Sequence, residues 1–165
     1  MISKRVLWIV ISAGIVIVLV ALASVALAPQ STPAFDAALR FADAAGRGDD
    51  ATATALLAPA LLDYVRVTCP AGSVSACVRA YMPPEWGDYI SVVYRRSALV
   101  GSAWDVQLIA TYAENEGFSG VCIYLRMEAD AAQQWRVTAW AGWVSCGDPA
   151  SREMAANPDA PNRAP

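Results

Sequence analysis

The sequence predicts an α+β fold: an N-terminal transmembrane helix, then two or three helices packed on a curved four-stranded antiparallel sheet. Three observations predict it. Residues 6–28 are apolar and uncharged, the apolar residues of 35–65 recur at helical spacing, and from residue 89 apolar and polar residues alternate. A sheet with one apolar face needs a cover, and the preceding helices are the segments that can supply it.

The apolar run from Val6 to Ala28 predicts a membrane anchor, residues 1–28 being the cytoplasmic N-terminus and the span. As a helix the run is about 34 Å long, enough to cross a hydrocarbon core of about 30 Å. Lys4 and Arg5 precede it, and positive flanks stay in the cytoplasm. We therefore expect a single-pass protein of the cell membrane with an extracytoplasmic C-terminal domain. A cleaved secretory signal, with its usual apolar region of about 7–15 residues, is the alternative.

The remaining chain divides into a linker, a domain and a tail. Residues 29–33 are a short polar linker, 34–146 form one domain, and 147–165, rich in Pro, Ala, Asn and Asp, are predicted to be disordered. The chain has 12 basic and 15 acidic residues, and two of the basic ones precede the anchor. The domain is therefore acidic, which argues against nucleic acid or anionic lipid headgroups as partners, because both need a clustered basic surface.

The first helix of the domain is predicted to begin at Pro33 and to end at Gly46 and Gly48. Thr32 can cap it, and Pro33 suits the first helical position. Its apolar residues recur at helical spacing and must be buried: Phe35, Ala38, Leu39, Ala42 and Ala45.

Further helical stretches follow before the sheet. Asp49 or Asp50 caps a second helix that runs through Leu57, and Pro59 breaks or restarts it. Residues 73–81 predict another short helix, closed by two prolines.

Four strands are predicted after residue 88, at 89–97, 104–113, 121–128 and 134–144. Their short connections make them antiparallel neighbours. The predicted inward residues are Trp104, Val106, Leu108, Ala110 and Tyr112 on the second strand, Val121, Ile123, Leu125 and Met127 on the third, and Trp135, Val137, Ala139, Ala141 and Trp143 on the fourth.

The four cysteines, Cys69, Cys77, Cys122 and Cys146, all follow the anchor, and an even count in an oxidising compartment indicates two disulfides. Three connectivities are compatible with the sequence, and we prefer Cys69 with Cys77 and Cys122 with Cys146. A zinc site is the alternative, but the chain has no histidine and its cysteines are not closely paired. We expect neither a metal nor a cofactor.

The order of these elements resembles the NTF2-like, or cystatin-like cone, superfamily over about residues 33–146. The matching features are an aromatic start to the first helix at Phe35, a break at Gly48-Asp49, a leucine-rich second helix and a final strand rich in tryptophan. The resemblance implies a cone-shaped pocket between helix and sheet. Members of the family serve as enzymes, as ligand binders or as dimerising accessory domains, so the fold alone does not choose a function.

The sequence contains few residues that could carry out acid–base catalysis. The candidates are Asp105, Tyr94, Tyr112 and Tyr124, of which Asp105 is expected to face solvent, and no histidine accompanies them. An isomerase or dehydratase is therefore the last of three alternatives, after a tethered or secreted binder of a small apolar molecule.

The function that we predict from the sequence is a membrane-anchored accessory or interaction domain, which pairs with itself or with a larger membrane complex. In the predicted fourth strand Trp140 faces away from Trp135 and Trp143, toward the outer side of the sheet. An exposed indole beside tyrosine and arginine is typical of interface anchors. The candidate interface residues are Trp140, Tyr124, Arg126, Arg136 and Thr138.

Overall fold

A computed structural model describes residue 14, residues 16–18, residues 32–152, residue 157 and residues 159–165. Most of the predicted anchor and of the linker lies outside the described residues. Among those that are described, we find no helix with the length and hydropathy of a membrane span. The domain described below is the compact unit Thr32–Pro165.

Four helices precede the sheet in this domain: α1 (Pro33–Arg47), α2 (Asp50–Ala55), α3 (Pro59–Thr68) and α4 (Val74–Tyr81). The first begins as predicted, because Thr32 accepts a hydrogen bond from the backbone N–H of Phe35 through its side chain at 3.4 Å. It ends at Gly48, whose φ of 82° is the left-handed conformation that a C-cap glycine supplies. Gly46 lies inside the helix and does not end it.

The predicted four-stranded antiparallel sheet is confirmed, with strands in the order β1 (Tyr89–Val100), β2 (Ala103–Tyr112), β3 (Val121–Ala129) and β4 (Trp135–Ser145). The turn predicted between the second and third strands is a one-turn helix, α5 (Asn115–Phe118). Three 3-10 turns lie at Pro70–Gly72, Pro84–Trp86 and Pro149–Arg152. The domain is therefore an α+β fold.

The core lies between the helices and one face of the sheet. The inward faces of β2 and β3 are the predicted ones, and their alternation is unbroken along the ladder that joins them. Helix α1 supplies a stripe of alanines and Phe41 against this face, and α3 and α4 extend it. The larger inward side chains of the two strands are Val106, Leu108, Tyr112, Val121, Ile123, Leu125 and Met127.

The prediction for β4 is wrong at its centre. The register passes from Met127 opposite Val137 to Arg126 opposite Ala139, so one extra residue, Thr138, is inserted in β4. Because side chains alternate along a strand, a single inserted residue moves all following side chains to the other face. Trp140 therefore faces the core, while Ala139 and Ala141, predicted to face inward, lie on the outer side.

A second bulge returns Trp143 to the core. Ile123 pairs with Gly142 and Cys122 with Val144, which leaves Trp143 as the extra residue with a φ of 51°. This is the left-handed region that residues other than glycine rarely adopt. The indole is nevertheless buried in the core, as predicted. It reaches the core through two bulges in β4 and not through the regular alternation that the prediction assumed.

Two disulfides join Cys69 to Cys77 and Cys122 to Cys146, the pairing preferred from the sequence. All four cysteines are thereby used, so the alternative of a zinc site built on them does not form.

Part of the stretch after Cys146, for which the composition predicts disorder, contacts the sheet among the residues that the structure describes. Residues 149–152 form a 3-10 turn, and Ala164 makes a bridge with Trp140 at the edge of the sheet. The backbone N–H of Gly142 donates to the carbonyl of Pro161 at 2.8 Å. Backbone groups on the outer edge of β4 thus bind residues 161 and 164.

Candidate functional site

Aromatic side chains occupy the space between helices and sheet where the NTF2-like resemblance implies a pocket. Trp140 lies at their centre, with ring centroids 6.0 Å from Phe41, 6.3 Å from Tyr64 and 5.7 Å from Trp143. Tyr81 adds a contact with Trp143 at 6.0 Å. These side chains, which could have lined a ligand site, pack against one another.

The expected exposure of Trp140 is therefore wrong: the residue is 1 % exposed. The bulge at Thr138 is the physical reason, because it reverses the face on which residue 140 lies. The proposed outer-face interface loses the residue on which it was based.

The outer face of the sheet holds a half-buried ion pair instead. Asp105 on β2 accepts two hydrogen bonds from the guanidinium of Arg126 on β3, at 2.9 and 3.2 Å. The Asp105 side chain is buried, contrary to the prediction that it faces solvent, whereas Arg126 keeps 38 % of its side chain exposed. The carboxylate is thus neutralised by a cation that still reaches water.

Tyr124 lies beside this pair and beneath the end of the chain. Its ring packs against Ala141 and Ala160, and its hydroxyl has no hydrogen-bond partner among the described residues. Burial, and then the neighbouring Asp105 carboxylate, raise the pKa of the Tyr124 hydroxyl.

The two remaining candidate interface residues are held by their own domain. Arg136 donates to Asp130 at 3.0 Å and to the carbonyl of Ala55. Thr138 donates to the Arg126 carbonyl at 3.3 Å. Arg126, Arg136 and Thr138 are partly exposed, and Arg126 has 38 % of its side chain exposed against 26 % for Arg136.

The four catalytic candidates do not converge on one site. Asp105 and Tyr124 lie together on the outer face, but Tyr94 stacks on Phe35 on the inner face, with ring centroids 5.0 Å apart. Tyr112 packs with Trp86 at the opposite end of β2, and burial raises the pKa of its hydroxyl to about 12. No nucleophile, base and orienting group meet among them.

A cleft of about 600 Å³ lies at the junction of α1, α4 and the start of β1. Tyr89 forms part of its wall and donates a 2.7 Å hydrogen bond to Asp43, while the Arg47 guanidinium lies 5.5 Å from the tyrosine ring centroid. Arg47, and more weakly Tyr89, hold the pKa of the Asp43 carboxyl below its usual value, against the effect of burial. Arg79 and Asp88 are the charged residues that line the cleft.

The exposed apolar surface of the domain lies mainly on β1. Of seven large apolar side chains exposed in its described residues, five belong to this strand; we call them the β1 surface: Ile90, Val93, Tyr94, Leu99 and Val100. Arg95 and Arg96 lie in the middle of the strand and are also exposed. Sequence reasoning missed this surface, although the weak alternation of residues 90–100 was a signal that neither face is fully buried.

The two edges of the sheet differ. On the β4 edge, Val137 donates to the carbonyl of Leu56 at 2.9 Å and accepts from the N–H of Ala58 at 2.9 Å, and Ala164 donates to the carbonyl of Trp140 at 2.9 Å. The chain thus covers this edge with its own backbone. In the described part of the chain, no strand pairs with the free edge of β1.

Comparisons of the chain with protein-family models, with characterised protein sequences and with solved structures give no match. A function for this chain therefore has to be inferred from the contacts described above.

Proposed function

We propose that this chain is a single-pass membrane protein whose domain lies outside the cytoplasm and acts as a non-catalytic interaction module. The uncharged run of residues 6–28 behind Lys4 and Arg5 supports the anchor and its orientation. The two disulfides support an oxidising compartment. Helices packed on one face of a four-stranded meander support an NTF2-like architecture for the domain.

The observation that carries the proposal is the difference between the two sheet edges. An open strand edge is a template for pairing with another chain, and folded proteins usually protect it. Here the β4 edge is covered by Leu56, Ala58 and Ala164. In the described part of the chain nothing pairs with the outer edge of β1, a strand of twelve residues of which five are exposed and apolar. An edge left open beside exposed apolar side chains supports recognition of a partner by strand addition.

The chemistry of β1 restricts what the partner can be. Arg95 and Arg96 lie at a bulge near the middle of the strand, so two antiparallel copies of β1 paired about that point would bring four guanidinium groups together. Like charges directly opposite each other destabilise a strand pair. The partner that fits is therefore an extended segment with alternating apolar side chains and an acidic residue opposite the arginines. A shared membrane would raise its local concentration.

Photo-crosslinking in native membranes tests the proposal. We expect Val93→p-benzoylphenylalanine, at a position 54 % exposed on β1, to form a protein adduct that the charge reversal R95E/R96E abolishes. The same replacement at Val67, 87 % exposed on α3, is the matched control and should form no such adduct.

The outcomes separate the parts of the proposal. If the chain is released by alkaline carbonate, the anchor is wrong. If it carries free thiols after purification from the membrane, the oxidising compartment is wrong. If Val93 and Val67 behave alike in an anchored, oxidised chain, β1 is not the interaction surface.

A second candidate, binding of a small molecule, is favoured by the cleft beside Tyr89. Its volume of about 600 Å³ lies within the usual range for ligand sites, and Arg79 and Asp88 could orient a polar ligand. R79A would then abolish the protection that a bound metabolite gives against thermal unfolding, while R66A, at an exposed position of α3, would leave it unchanged.

A further inference from the structure

The tip of the β1–β2 hairpin is uncharged and apolar. We define it as residues 97–104, a stretch in which no residue is charged. Leu99 is 58 % and Val100 50 % exposed, on either side of a tight turn at Gly101 and Ser102. Arg95 and Arg96 directly precede the tip.

An aromatic cluster connects this hairpin tip to the first turn of α1. The ring of Phe35 stacks on Tyr94 with centroids 5.0 Å apart and meets Trp104 edge-on at 5.2 Å. Trp104 is the cross-strand partner of Leu99. The hairpin tip therefore lies at the same end of the domain as the start of α1.

The length of chain before α1 limits the distance from this end to the anchor. Four residues, 29–32, lie between Ala28, the last residue of the apolar run, and Pro33, the first of α1, so five residue steps join the two. Fully extended, they span at most about 18 Å. If residues 6–28 cross the bilayer, this length limits the distance between Pro33 and the end of the span to about 18 Å.

From these placements we infer that the hairpin tip inserts into the headgroup region of the outer leaflet. This inference rests on the proposed membrane anchor. Leucine and valine at the turn would enter the apolar boundary, tyrosine and tryptophan would lie at the level where aromatic residues are enriched, and the arginines would stay in water or meet lipid phosphates.

The acidic character of the domain is compatible with this contact. At the same end of the sheet, Glu128 lies near the end of β3 and Asp130 follows the strand, paired with Arg136 at 3.0 Å. Asp36 lies in the first turn of α1. These carboxylates oppose deep insertion and confine the contact to the hairpin tip, whose attraction to lipid is apolar rather than electrostatic.

Spin labelling of the full chain in lipid nanodiscs tests the inference. All native cysteines are in disulfides, so V100C or S102C introduces a single reactive thiol. We expect labels at both positions to have a several-fold higher ratio of oxygen to nickel-chelate accessibility than the control V67C, whose position on α3 is exposed to water. L99D in the V100C background should lower that ratio to the control value.

Three results would overturn the inference. Equal ratios at positions 100 and 67 in an anchored chain would place the hairpin tip in water. Loss of accessibility to both oxygen and nickel at position 100 would mean that protein, either a second copy or a partner, covers it. A chain that does not remain with the nanodisc would refute the anchor itself, which is a failure of the proposed function and separable from the other two.

Discussion

The ring of Tyr89 lies so close to Gly46 that a Cβ built on this glycine would be 2.5 Å from the ring carbon Cδ2. The same tyrosine donates a 2.7 Å hydrogen bond to Asp43, one turn earlier in α1. Helix α1 and the first residue of β1 are thus joined by a contact that requires a residue without a side chain. The glycine is inside a helix for this packing, at a cost in helix propensity of about 1 kcal/mol.

We predict that G46A destabilises the domain by about 1–2 kcal/mol. Overpacking against the Tyr89 ring costs about 1–3 kcal/mol, and the gain in helix propensity offsets part of it. The measurement is the urea midpoint, with G147A as control, because a Cβ there meets its nearest atom, in Ser145, at an ordinary 3.6 Å. A G46A variant as stable as the wild type would mean that the tyrosine moves away at no cost.

Trp140 provides a second prediction. It is buried among Phe41, Tyr64 and Trp143, so W140A should cost about 3–5 kcal/mol, as large core truncations do. W140F should cost less, since the indole N–H has no hydrogen-bond partner in the described part of the chain and the loss is one of volume. Thermal unfolding measures both. A W140A variant with an unchanged melting temperature would contradict this description of the core.

The sequence predicts most of the fold because inward and outward side chains alternate without a break along β2 and β3. Their ladder has no register shift, so alternation alone assigns the inward faces. The ladder between β3 and β4 has two, at Thr138 and Trp143. Gly142, beside the second bulge, is the kind of residue that indicates one. No glycine lies at Thr138, so the local sequence contains no sign that Trp140 faces inward.

The candidate site was less predictable, because its parts depend on contacts between distant segments. Ala164 covers the β4 edge from within a stretch whose composition predicts disorder. Asp105 is buried by its pairing with Arg126, twenty-one residues later in the chain. The open edge of β1 is recognisable only once the order of the strands is known.

A third prediction concerns Asp50, whose carboxylate connects α2 to the start of α4. It accepts hydrogen bonds from the hydroxyl of Ser73 at 2.5 Å and from the N–H and hydroxyl of Ser75 at 2.8 and 2.9 Å. D50N places a donor where an acceptor is needed and should cost about 1–3 kcal/mol. The control is D63N, because Asp63 forms an exposed pair with Arg66 at 3.5 Å and should change stability by less than about 0.5 kcal/mol.

The pH dependence of D50N follows from the same contacts. Burial alone would raise the pKa of the Asp50 carboxyl, but the hydrogen bonds from Ser73 and Ser75 outweigh it and hold this pKa below the ordinary value of 3.8. Its contribution to stability is therefore complete above pH 3.8 and is lost as the pH falls through the lowered value. The difference in unfolding free energy between wild type and D50N should shrink on acidification below that point. A difference that stays constant would mean that the charge contributes nothing.

The ion pair of Asp105 and Arg126 yields an asymmetric prediction. The carboxylate is buried and the guanidinium is 38 % exposed, so R126M leaves a charge that cannot reach water, whereas D105N leaves one that can. We expect R126M to cost about 2–4 kcal/mol and D105N about 1–2 kcal/mol. In the double variant D105N/R126M the uncompensated charge is gone, so it should be more stable than R126M alone. Urea unfolding of the four proteins tests this order. Equal costs for the two single substitutions would show that the asymmetry in exposure does not determine the energetics, and a double variant as unstable as the sum of the two would show that the residues do not interact.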